Sequence, residues 1–81
     1  MKAYTLKRKK GSAELHLFEG EFKGTSCSSN HYSVCGRMAK TEGEATSLFM
    51  CETEETARKQ CWLLGRAVCG TCIGVLYGNF D

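Results

Sequence analysis

The chain has no proline, and among its 81 residues there are one aspartate, one tryptophan and two histidines. A chain without proline and with 42% hydrophobic and 25% charged residues is neither collagen-like nor disordered. The single aspartate, Asp81, is the last residue, and no Ser–His–Asp or Cys–His–Asn set can be assembled around His16 or His31. Nor is there a glycine-rich phosphate loop, and so small a core leaves little room for a substrate pocket. An enzyme is therefore not expected. Apolar runs extend only a few residues, which excludes a membrane-spanning helix. Met1–Lys10 lacks the apolar stretch of a secretory leader, so a reducing, cytoplasmic setting is expected. Eighty-one residues allow one domain, spanning 1–81.

Charge is present but divided. Residues 1–40 carry eight bases against three acids, and residues 41–81 carry three bases against six acids. The net +2 conceals a basic half and an acidic half, which biases encounters with charged surfaces without dictating a fold.

Polar–apolar alternation in Ala3–Lys9 and Ala13–Phe22, separated by Lys9-Lys10-Gly11-Ser12, predicts a β-hairpin turning on Gly11. Lys23–Asn30 has loop composition. A third strand is expected over His31–Met38, a charged turn over Ala39–Ala45 and a fourth strand over Thr46–Cys51. Thr53 is placed to cap a helix that opens with Glu54 and Glu55, with Ala57, Cys61, Leu64 and Val68 on one stripe. Gly70 is the expected stop, although Gly65 is able to end the helix a turn early. Thr71–Tyr77 then reads as a closing strand, and Asn79–Asp81 as a tail. The sum is an α+β fold of order β-β-β-β-α-β: a mostly antiparallel sheet with one helix across one face.

Six cysteines leave three readings open. Cys69-Gly70-Thr71-Cys72 is a Cys-x-x-Cys pair suited to zinc, with Cys27 and Cys35 as the further ligands and His31 as a substitute. Six cysteines also allow fifteen disulfide pairings, among which spacing does not choose. The third reading makes Cys35, Cys51, Cys61 and Cys72 small buried hydrophobes, and then no cofactor is needed. Thioredoxin-like chemistry is not expected, because the pair is placed after a helix, at the negative end of its dipole. His16 reads as a strand-face residue.

Candidate binding residues lie at two places. Lys7, Arg8, Lys9 and Lys10 load the hairpin tip with cations able to reach phosphates, with Tyr4 available to stack on bases. Trp62, one helical turn from both Arg58 and Arg66, is either a partner anchor or a cap on the sheet edge.

The strand running into Cys51-Glu52-Thr53-Glu54-Glu55-Thr56-Ala57-Arg58-Lys59, followed by a closing strand, resembles small phage and mobile-element accessory proteins, including anti-CRISPR inhibitors. That resemblance implies a chain that acts by covering another molecule's surface. The expectation is a non-catalytic interaction module that binds a larger protein or nucleoprotein complex, with a zinc-stabilised nucleic-acid binder as the alternative.

Overall fold

Alternating side chains bring Lys2–Arg8 (β1) and Leu15–Lys23 (β2) together as an antiparallel pair in which Thr5 faces Phe18 and Leu6 faces Leu17. The expected turn is there: Ser12 N–H donates to the Lys9 carbonyl at 3.1 Å, and Gly11 takes a positive φ of 76°. The computed structural model describes residues 1–44 and 47–78, so the start of the expected fourth strand and the Asn79–Asp81 tail lie outside the described residues.

Two short strands complete the sheet. Ser26–Cys27 (β3) pairs with Phe22 and Lys23, and Phe49–Glu52 (β4) pairs with β1, giving the order β3-β2-β1-β4. Between Tyr4–Glu52 and Leu6–Phe49, one residue of β1, Thr5, opposes two of β4, Met50 and Cys51, and in this bulge Cys51 adopts a φ of 55°. Cys27 and Cys51 form a disulfide with Cα atoms 5.6 Å apart. It joins the two outermost strands, so the curled sheet is clasped along its open side.

Glu54–Leu64 (α1) forms as the sequence predicts. Thr53 Oγ1 accepts the Thr56 N–H at 3.3 Å, Glu54 and Glu55 fill the first turn, and Arg58 pairs with Glu54 at 3.1 Å. Its stop is Gly65, not Gly70: Gly65 has φ 59°, in a region that side chains with a Cβ rarely enter. A 3-10 turn, Gly65–Ala67, follows.

Two elements depart from expectation. Thr71–Tyr77 is not a strand but the body of a second helix, Gly70–Gly78 (α2). Cys69, Cys72 and Leu76, spaced i, i+3 and i+7, are all buried, and this helical face prevails over the strand propensity of Thr71, Ile73 and Val75. His31–Met38 is not a strand either. It is a folded-back loop with a turn at Ser33–Gly36, where Gly36 N–H donates to the Ser33 carbonyl at 2.8 Å. The architecture remains α+β, with order β-β-β-β-α-α and two helices in place of one.

Tyr4, Leu6, Leu15 and Leu17 from the sheet pack with Ala57 and Cys61 of α1, Val68 and Cys69, and Cys72 and Leu76 of α2. Each fully buried leucine contributes roughly 1.5–3 kcal/mol of transfer free energy. Ala3, Thr5 and Phe18 on the reverse face are buried as well, so the sheet is covered on both sides. Among the described residues, no helix is long and apolar enough to cross a membrane.

Candidate metal centre

The outer edge of β2 is where the site is built. β3 pairs only with Phe22 and Lys23, so the backbone of Leu15–Leu17 needs other partners. Cys69 N–H donates to the Leu15 carbonyl at 2.7 Å, and Val34 N–H donates to the Leu17 carbonyl at 2.8 Å. Leu17 N–H in turn donates to Cys72 Sγ at 3.4 Å. The loop carrying Cys35 and the first turn of α2 are thereby drawn to the same stretch of strand that holds His16.

The side chains converge there. One ligand atom each from His16, Cys35, Cys69 and Cys72 lies within 4.8 Å of the others. His16 Nδ1 is 3.4 Å from Cys35 Sγ and 3.9 Å from Cys72 Sγ. Tetrahedral zinc with bonds of 2.0–2.3 Å asks for ligand–ligand edges of about 3.3–3.8 Å, so the cluster needs to contract by about 1 Å or less. The other ring nitrogen, His16 Nε2, faces Glu14 Oε1 at 2.9 Å. A carboxylate behind a histidine fixes the ring and its tautomer, as outer partners of metal-bound histidines do. His16, Cys69 and Cys72 are buried and Cys35 is half-buried, so a cation there would be largely shielded from water.

The thiols are tuned differently. Burial opposes ionisation of Cys35, but hydrogen bonds from Ser33, the Arg37 backbone, His16 and Cys72 outweigh it and bring its pKa down to about 6. Ser33 Oγ lies 3.1 Å from Cys35 Sγ. Burial pushes Cys72 well up, only partly offset by the Leu17 N–H. Cys61 stands apart on α1, is buried, and is pushed up to about 11 by that burial. It is a core thiol.

The structure brings together three of the side chains named from the sequence as metal ligands and separates the others. Cys35, Cys69 and Cys72 come together, but Cys27 is bonded to Cys51, and exposed His31 lies outside the cluster, its ring against Tyr32 with centroids 4.6 Å apart. Cys27 is thus also a departure from the expectation of reduced thiols. The cluster member missed is His16, and the signal that could have found it is Glu14-x-His16, a carboxylate two residues away on the same side of the extended chain. The dipole argument reverses too. Cys69 precedes α2 and its carbonyl accepts the Ile73 N–H at 3.1 Å, so Cys-x-x-Cys sits at the positive end of a helix, where thiolates are favoured.

The candidate binding residues scatter. Tyr4 is only 3% exposed and has no face for a base to stack on, because it fills the core beneath α1. Lys7 is half-buried, Arg8 and Lys10 are exposed, and Lys9 pairs with Glu42 at 3.7 Å. Arg58 is no free anchor: it donates to Glu54 and to the Leu76 carbonyl at 3.1 Å each and lies over the Tyr77 ring, stapling α1 to α2. Trp62, at 76% exposed, does not cap the sheet, and with Leu63 at 71% it borders an open groove of about 620 Å³. Arg66 is exposed in the turn beyond.

The cluster stands on its geometry alone: no protein-family model, curated protein or solved structure matches this chain.

Proposed function

We propose that this chain is a zinc-stabilised, non-catalytic interaction module. The observation that carries the reading is the convergence of His16, Cys35, Cys69 and Cys72 from three separate chain segments, with Glu14 behind the histidine. Four nitrogen and sulfur ligands complete a tetrahedral shell and leave no open position, which is the arrangement of a structural zinc and not of a catalytic one. What the ion would fasten supports the reading as well. α2 contains Gly70, Gly74 and Gly78 together with β-branched Thr71, Ile73 and Val75, so its intrinsic helix propensity is low and it depends on outside anchorage.

The partner is a protein or a nucleoprotein complex that meets the molecule through Trp62 and Leu63. Two large apolar side chains, both mostly exposed on one helix, favour a protein surface. The nucleic-acid alternative loses Tyr4 to the core and part of its cationic tip to the Lys9–Glu42 pair. Small size and divided charge support an inhibitor of the phage-accessory kind as the concrete form of such a module.

Metal analysis of purified chain is the test. About one zinc per chain is expected, with cobalt substitution giving the intense absorption of a tetrahedral thiolate site. Cys72→Ser should abolish both, whereas Cys61→Ser should leave both unchanged. A chain that takes up no zinc, or that unfolds no more readily in chelator, overturns the reading. For the binding surface, Trp62→Ala is expected to change stability by about 0.5 kcal/mol or less. The same change should remove capture of the partner by the immobilised chain.

A further inference from the structure

On the sheet face turned away from the helices, a cleft of about 330 Å³ opens between β1, β4 and the chain after β3. The disulfide-bonded Cys27 and Cys51 both line it, and both are half-buried. Lys7 and Lys40 flank the disulfide, and Ser28 and Ser29 add polar surface. Among the described residues no carboxylate lines the cleft, and neither lysine has an ion-pair partner.

We propose that this cleft admits an anionic low-molecular-weight thiol, of the carboxylate-bearing glutathione type, which opens the Cys27–Cys51 clasp by exchange. Two cations beside a disulfide attract a carboxylate, raise the local thiolate concentration and stabilise the thiolate that leaves. The attacking thiolate forms a bond to Cys27 Sγ as the Cys27–Cys51 bond breaks, and Cys51 departs as a thiolate that takes a proton from water. A second thiolate attacks the small-molecule sulfur of the mixed disulfide and releases Cys27. In sum, two small thiols are oxidised to their disulfide and the protein disulfide is reduced to two thiols.

The direction of attack follows from the backbone. Cys51 holds a φ of 55° inside a bulge, a conformation that residues with a Cβ rarely adopt. Departure of Cys51 lets β4 relax, whereas an adduct on Cys51 would add bulk at the strained position. Cys27, beside Ser28 and Ser29 in the same cleft, is not among the residues at positive φ and takes the adduct without that constraint. The proposal does not depend on the zinc reading, because none of the four clustered side chains lines this cleft.

The test follows opening of this one disulfide in the full-length oxidised chain by timed alkylation and peptide mass mapping. Glutathione is compared with cysteamine, a cationic thiol, at matched thiolate concentrations. At low ionic strength glutathione should react at least about tenfold faster, with the advantage shrinking as salt is added. Lys7→Gln with Lys40→Gln should erase the advantage, and the transient adduct should map to Cys27. Equal rates for the two thiols, a rate order unaffected by salt, or an adduct on Cys51 alone overturns the proposal. If the double variant does not fold, the salt series on the unaltered chain decides the matter.

Discussion

Glu14 sits on the strand edge with about half its side chain in water, yet its position behind His16 gives it influence over the whole cluster. Replacing it with glutamine keeps the shape and removes the charge that holds the imidazole. Zinc affinity measured by chelator competition should fall about 10–100-fold while the stoichiometry stays at one. At this scale the sequence was legible where chemistry depends on local spacing. Cys69 and Cys72 announce themselves, and Thr53 with Glu54 and Glu55 marks a helix start. His16 and Cys27 were not legible, for opposite reasons. A histidine in an alternating strand carries no mark of the loop and helix that close over it. Cys27 stands four residues before His31 and eight before Cys35, which grouped it with them as candidate ligands, but its true partner Cys51 is 24 residues away and is brought near only by the curl of the sheet.

Among the elements, α1 is held by its own sequence and α2 by its surroundings. The Thr53 cap, the Glu54–Arg58 pair and the Gly65 stop all act within or beside α1. Thr53→Ala is expected to cost about 1 kcal/mol in urea unfolding, because the Thr56 N–H loses its acceptor. For α2 the expected outcome concerns the metal. Chelation should increase amide exchange in residues 70–77 first, with β1 and β2 protected longer, as measured by hydrogen–deuterium exchange. The same contrast explains the misread closing strand. Thr71–Tyr77 has β-branched residues and alternation, and it also has a helical stripe at Cys69, Cys72 and Leu76. Local propensity favoured the strand, whereas pairing of Cys69 with the Leu15 carbonyl and burial of the stripe decided for the helix. The hairpin was legible because its alternation, turn glycine and register all agree.

For the whole molecule, the disulfide ties β3 to β4, and an ion in the proposed site would tie β2 to α2 and to the 33–38 loop. In the chain-entropy account, a cross-link closing 24 residues contributes about 3 kcal/mol. Cys27→Ser combined with Cys51→Ser should therefore lower the unfolding free energy by about that amount and leave zinc stoichiometry unchanged. Simultaneous loss of zinc and disulfide should leave a chain whose denaturant transition is broad, because neither the low-propensity α2 nor the two-residue β3 is stable unaided.

The backbone bonds that Cys69, Val34 and Cys72 make to Leu15 and Leu17 have a consequence beyond holding ligands. They occupy hydrogen-bonding groups that an incoming foreign strand would otherwise use. Were these bonds to open, as loss of an ion held in the proposed site would allow, they would uncover a sticky, greasy border, and crowding among such copies would favour strand-to-strand clumping over orderly recognition of any target.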